Sequence, residues 1–269
     1  MWYSITFLLI DRIMIKSLTD LSAENYCKTS SHQQQKVFLE LLSPIEINPG
    51  FKCLDIGCGS GNNTALLAQW VGNHGNVIGI DPDAKRISVA QKTFGGIDNI
   101  TFVVGKSTAF PLLQEGYDII VANCVMHWMP PAEKMETYIK IFSALKPGGI
   151  FASTELFKWV SDTARFLKFT SKAVQDEATV FCQSAENNKE IFSNLGFEIL
   201  NIEEVEHRNT LESLDFYFKW LDSSLQGKID SRKIYSEHKG EIHLQVNADG
   251  SVVHELDINK IIVRKPIHQ

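Results

Sequence analysis

The sequence predicts an α/β fold, a doubly wound and mostly parallel sheet, from three observations. Short apolar runs alternate with helix-length amphipathic segments from about residue 51 to 202, the pattern of strands buried on both faces by crossover helices. The first run, Cys53-Leu54-Asp55-Ile56, passes directly into Gly57-Cys58-Gly59-Ser60-Gly61 and then into a helical stripe of Ala65, Leu66, Leu67, Trp70 and Val71. The second run, Asn76 to Ile80, ends in Asp81, about 20 residues beyond the glycine turn, where open sheets of this kind place a carboxylate for a ribose.

Taken in order, residues 22–42 give a polar approach and an amphipathic helix with Val37, Phe38, Leu41 and Leu42 on one side, stopped by Pro44 and Pro49-Gly50. After the first two strands, Pro82 to Phe94 is a helix with Ile87, Val89 and Ala90 inward, ended by Gly95-Gly96. Ile100 to Gly105 is a third strand and Gly116 to Cys124 a fourth, which runs into Val125-Met126-His127-Trp128. Ala132 to Lys146 is helical through Met135, Tyr138, Ile139, Phe142 and Leu145, and Lys146-Pro147-Gly148-Gly149 turns into a fifth strand ending at Leu156. Residues 158–181 read as helical and aromatic-rich, with Trp159, Phe166, Phe169 and Phe181. Asn187 to Leu195 is a helix closed by Gly196, and Phe197 to Ile202 starts a sixth strand. Residues 211–225 are a second amphipathic segment, Asp249-Gly250 marks a hairpin, and Ile258 to Val263 is the last strand.

Glycines permit positive φ and let a ligand approach the backbone, and a helix opening at Gly61 presents unpaired N–H groups. A dinucleotide would require G-x-G-x-x-G, but counting from Gly57 puts Asn62 in the third glycine position and counting from Gly59 puts Thr64 there. Asp55, two residues before Gly57, repels a pyrophosphate and suits a ligand carrying an ammonium and a sulfonium. The run resembles motif I of the class I S-adenosylmethionine (AdoMet) methyltransferases, whose acid lies near the amino-acid end of the cofactor; the alternative is a structural turn with no ligand. Asp81 is acceptor-only and can take two ribose hydroxyls, or else it caps the helix that follows Pro82.

Lys106-Ser107-Thr108-Ala109-Phe110-Pro111-Leu112 is similar to the family stretch in which an acid accepts from the adenine amino group. Lys106 stands in that place without an acceptor, so the contact is lost or passes to backbone and Ser107. Ala122 to Trp128, followed by Pro130, resembles the (A/S)NxxLHW motif of small-molecule methyltransferases related to the trans-aconitate and juvenile hormone acid enzymes. The resemblance implies a seven-stranded Rossmann-like sheet of order 3-2-1-4-5-7-6 with strand 7 antiparallel, and helical caps at about 157–183 and 211–240. It implies AdoMet contacts at Asp55, Gly57, Gly59, Gly61, Asp81, Pro82, Lys106, Ser107, Asn123 and Tyr26, and acceptor contacts at Gln34, His127 and Trp128. Against it stand a solvent-facing helix start around Tyr26 and Gln33 to Gln35, and a His127-Trp128 pair that merely packs in the core.

The implied reaction is an in-line displacement at the AdoMet methyl, most simply by a carboxylate, which is ionised near neutral pH and needs no base. No catalytic residue is then assigned. For a neutral amine, phenol or carbon acceptor, His127 is the candidate base, with a pKa near its ordinary value. A third reading is an AdoMet-binding module without turnover.

With 269 residues and 44% hydrophobic content the chain can bury a full core. A net charge of −6 argues against a nucleic-acid partner and leaves a small-molecule acceptor. Cys27, Cys53, Cys58, Cys124 and Cys182 are odd in number and scattered, as expected for reduced, buried thiols of a cytoplasmic protein with no metal site. The apolar start Met1 to Ile10 has no basic n-region and is broken by Asp11-Arg12, so we read Met14 as the native start and residues 1–21 as an extension of a domain over 22–269. No later stretch is long enough to span a bilayer.

Overall fold

The computed structural model describes residues 34–157, 161–177, 180–225 and 227–267. Alternation along the strands decides the layers. In β1 (Lys52–Ile56), Leu54 and Ile56 join one buried cluster, while Cys53 joins another on the opposite face. β2 (Asn76–Asp81) divides in the same way, with Ile78 and Ile80 against Val77. So does β4 (Tyr117–Asn123), with Ile120 and Ala122 against Ile119 and Val121. Both faces are apolar because both are covered. Helix α1 (34–42) and α2 (Asn62–Val71) bring Phe38, Leu41, Leu67 and Val71 to one face. Helix α4 (Pro131–Ala144) and α7 (Ala185–Asn194) bring Tyr138, Ile141 and Phe192 to the other.

With β3 (Ile100–Val104), β5 (Leu145–Leu156), β6 (Glu198–Leu211) and β7 (Val252–Arg264), the described residues form a seven-stranded sheet of order β3-β2-β1-β4-β5-β7-β6. This is the expected order. β1 to β5 pair in parallel, and β7 pairs antiparallel to β5, with Glu155 opposite Asn259. Strand order reverses between β1 and β4, so the glycine turn after β1 and the Met126–Trp128 turn after β4 leave the sheet at its switch point.

Local chemistry sets the ends. Asp83, and not Asp81, caps α3 (Ala84–Phe94), accepting from the N–H groups of Lys85 at 2.9 Å and Arg86 at 3.4 Å. Ser184 caps α7. The stretch read as helical over 158–181 contains two short helices, α5 (Ser161–Leu167) and α6 (Lys172–Glu177). Thr170 and Ser171 divide them, because their hydroxyls bind backbone at Leu167 and Val174 in competition with the helix ladder. Trp159 lies outside the described residues, as do Met14 and the expected 1–21 extension. The 249–250 hairpin shrinks to one bridge, Val246 to Val252, around a turn in which Asp249 accepts from the Ser251 N–H. β6 starts where expected and runs on to Leu211.

The chain divides into two units. One comprises the described residues of His32–Ser161, Thr179–Asn209 and His254–Gln269, and holds nearly all of the sheet. The other takes in Asp162–Ala178 and Thr210–Val253, overlapping the segments expected as caps. It contains α8 (Leu214–Ser224) and α9 (Ser231–Glu237), and its own aromatic core sets Phe166 against Tyr217, Phe218 and Tyr235. Among the described residues no helix is long and apolar enough to cross a membrane.

The end of α2 is held from a distance: the Asn99 amide donates to the carbonyls of Ala68 at 3.0 Å and Gly72 at 2.9 Å. Asn99→Ala removes the second donor from each carbonyl, leaving the Gly72 N–H on Ala68 and the Gly75 N–H on Gly72, and should lower stability by about 1 kcal/mol, read as a shifted midpoint in urea with the slope unchanged.

Candidate functional site

Gly57, Gly59 and Gly61 all have positive φ, at 69°, 55° and 86°. Their surroundings differ. A Cβ on Gly57 would fall 2.3 Å from Val125 Cγ2, and one on Gly61 would fall 2.7 Å from the Phe102 ring, so these two are fixed by packing. A Cβ on Gly59 would meet nothing within 4 Å. Gly59 is therefore where backbone stands open to an incoming ligand. α2 begins just beyond, with Gly61 as N-cap and no side-chain cap for its first N–H groups.

Two carboxylates flank this opening. Asp55 is buried on β1 and accepts from the Thr64 hydroxyl at 2.6 Å. Burial, reinforced by the charge of Asp81 and opposed by the Thr64 bond, pushes its pKa up to about 7. Asp81, at the end of β2, accepts the Gly59 N–H at Oδ2 (3.0 Å) and the Asp83 N–H at Oδ1 (2.9 Å). Burial raises its pKa also, against the pull of these bonds and of Arg86. Each Asp81 oxygen keeps a second lone pair for a hydroxyl donor. Pro82 is exposed between Asp81 and the cap Asp83.

At the end of β4 the Asn123 amide donates to the Gln34 carbonyl at 3.0 Å, and its Oδ1 accepts from Thr154 at 2.7 Å. The structure thus joins Asn123 to the start of the described α1, through the backbone of Gln34. Cys124 follows with φ of 57°, a left-handed conformation unusual for a side-chain-bearing residue and typical of functional sites. Its N–H is held by the Thr154 carbonyl and hydroxyl.

His127 departs from expectation. Its ring is buried, and Nδ1 accepts from the Leu156 N–H at 3.3 Å. Burial, aided by the nearby Lys134 charge, pushes its pKa down to about 3, not near the ordinary histidine value. Trp128, beside it at 5.3 Å between ring centroids, is 40% exposed. Ser107 is buried, 2.9 Å from the Thr137 hydroxyl and 3.5 Å from Glu133, whereas Lys106 is exposed. Tyr26 lies outside the described residues. Cys53 and Cys58 are buried as expected, but Cys124 and Cys182 are only half-buried.

Sequence reasoning missed Thr64, Thr154 and a fully buried ion pair, Lys134 with Glu155. The signal available for two of them was the polar Thr154-Glu155 ending an apolar strand at its carboxyl edge.

Residues 47–191, more than half of the chain, match the family model for a methyltransferase domain. The chain belongs to this family. This methyltransferase is 28% identical over 179 residues to an arsenite methyltransferase of Halobacterium salinarum, covering 64% of this chain and 42% of that protein. It is 28% identical over 131 residues to a trans-aconitate 2-methyltransferase of Rhizobium leguminosarum, covering 49% of this chain and 48% of that one. The chain therefore spans about half or less of the length of these curated relatives. The YcgJ protein of Bacillus subtilis shares the fold, with a TM-score of 0.62 at 17% identity over 87% of this chain and 99% of that one. The cofactor is S-adenosylmethionine, and the turn fits it. Gly59 leaves an open cradle, and two buried carboxylates match a ligand with a cationic end and a diol.

In the unfolded chain Asp55 ionises near pH 4, but in the folded protein only near 7, so its contribution to stability is full below pH 4 and lost as pH rises through 7. Without cofactor, Asp55→Asn should therefore raise stability at pH 8 by on the order of 4 kcal/mol and by almost nothing at pH 4, measured by urea denaturation at both values.

Proposed function

We propose that this methyltransferase acts on a small acceptor that is already nucleophilic at neutral pH, a carboxylate oxygen. The observation that carries the reading is the state of His127. A buried imidazole whose pKa lies near 3, and whose Nδ1 is occupied by the Leu156 N–H, is a poor proton acceptor. Cys124, with its thiol pushed up to about 11, is no base either. A carboxylate asks for neither. The similarity to a trans-aconitate 2-methyltransferase supports the same substrate class.

S-adenosylmethionine supplies a methyl group that is already a strong electrophile. The protein's part is binding, alignment and exclusion of water, and alignment alone supplies about 7–11 kcal/mol in favourable cases. In this reading Asp55 faces the cationic amino-acid end, with Gly57, Gly59 and Gly61 shaping the backbone beneath it. Asp81 takes the ribose hydroxyls with Pro82 beside it, while Lys106 and Ser107 border the adenine. Asn123 fixes the end of β4 to the Gln34 backbone. Trp128, partly exposed, contacts the acceptor in this reading, together with Gln34, whose backbone carbonyl is held by Asn123.

A second reading has its own observation. Cys124 and Cys182 are both half-buried and pack on the same cluster of Val37, Leu156 and Ile258, which suits a soft, thiophilic acceptor such as the arsenite of the Halobacterium relative's name. Formation of S-adenosylhomocysteine should be followed with a panel of organic acids including trans-aconitate, and separately with arsenite. Turnover of an acid, unaffected by Cys124→Ser with Cys182→Ser, supports the carboxylate. Turnover of arsenite alone, lost in that double variant, establishes the second reading.

Two further outcomes follow from the same geometry. His127→Gln should lower kcat less than tenfold with no limb near pH 6.5 in the pH profile, whereas loss of a true base costs about 10²–10⁴. The cationic cofactor favours ionised Asp55, so calorimetric titration with S-adenosylmethionine should give tighter binding at pH 8 than at pH 6, a dependence that Asp55→Asn abolishes.

A further inference from the structure

Helix α4 turns Lys134 toward the sheet, and its side chain is 2% exposed. The ammonium has three hydrogens and three acceptors: Glu155 Oε2 at 3.0 Å, the Phe181 carbonyl at 2.9 Å and Gln183 Oε1 at 3.0 Å. Glu155 is fully buried, and its other oxygen accepts from the Asn188 amide at 2.7 Å. The Gln183 carbonyl accepts from the Asn259 amide at 2.6 Å. The segment 181–183 is thus held directly from α4 and β7, while β5 and α7 hold it at one remove, through the carboxylate that pairs with Lys134.

A buried ion pair is a poor device for stability alone, since packed apolar residues of similar volume commonly serve as well. What this pair does that apolar residues cannot is fix the direction of a length of backbone. The Phe181 carbonyl points to Lys134, and the Phe181 N–H donates to the His127 carbonyl at 2.8 Å. The turn that carries Trp128 is gripped by the same segment that Lys134 holds.

We propose that Lys134 is a positioning residue for the methyl acceptor: through residues 181–183 it keeps the His127-Trp128 turn in the placement that the acceptor requires. This rests on the assignment of Trp128 to the acceptor made above. It assigns Lys134 no contact with either reactant.

The test uses the full chain with Lys134→Met combined with Glu155→Gln, which removes both charges together and leaves an oxygen for Asn188. Lys134→Met alone would strand the Glu155 carboxylate and is the less informative variant. Hydrogen exchange at the Phe181 and Trp128 amides, calorimetry with S-adenosylmethionine, and steady-state kinetics with trans-aconitate are compared with the wild type. The expected result is at least tenfold faster exchange at Phe181, a cofactor Kd changed less than twofold, and KM raised tenfold or more with kcat within threefold. Phe181→Pro removes the amide donor while leaving Lys134 and Glu155 in place, and should raise KM likewise. Unchanged exchange at Phe181 in the double variant overturns the proposal, as does an equal loss of cofactor affinity. If the wild type binds no S-adenosylmethionine or methylates no acid, the carboxylate reading fails, while the exchange at Phe181 still decides whether Lys134 holds the turn.

Discussion

The hydrogen bond from the Gly59 N–H to the Asp81 carboxylate joins the turn after β1 to the end of β2, and the site depends on that joint. Packing fixes Gly57 and Gly61, but without this bond Gly59, which has open space around it, would take many conformations at little steric cost. With it, and with the Gly57 and Cys58 N–H groups both on the Ile80 carbonyl, the loop has one shape and an open face at Gly59. Val125 behind Gly57 and Phe102 behind Gly61 close the other sides. The arrangement needs glycine at 57 and 61 for packing, but at 59 for access.

The cost of that shape is electrostatic. Asp55 and Asp81 are both buried, and both resist ionisation because burial disfavours the charged form. A protein that keeps two such groups at one opening holds them in an environment that a cation and hydrogen-bond donors would relieve. The unliganded fold carries a penalty here that a ligand of the right charge removes, so that binding and protonation are linked.

At the carboxyl ends of β4 and β5 the dominant interactions are satisfied polar networks buried among apolar residues. Thr154 anchors Asn123 and Cys124 toward the α1 and α2 face, and Glu155, one residue on, points to the opposite face and anchors Lys134. The period-2 geometry of β5 thus sends adjacent residues to two separate networks. Between them His127 is held neutral, and Trp128 alone of the pair reaches solvent.

Much of this was legible from local pattern. The glycine turn, the acid after β2 and the motif after β4 follow from periodicity and from the backbone freedom of glycine, and none depends on distant contacts for its existence, whereas strand order, built from pairings such as Cys53 with Ile119, was implied by the resemblance alone. What only the tertiary structure decided is the state of the groups. A histidine after β4 reads the same in sequence whether it is a base or a buried neutral ring; the Leu156 N–H, 29 residues away, and the apolar surroundings make it the latter. Lys134 reads as one more solvent-facing helix charge until Glu155, Phe181 and Gln183 surround it. The sequence by itself determined where the glycine turn lies, because φ > 0 is a local demand. Charge and hydrogen-bond partners are properties of a surrounding volume that only folding assembles.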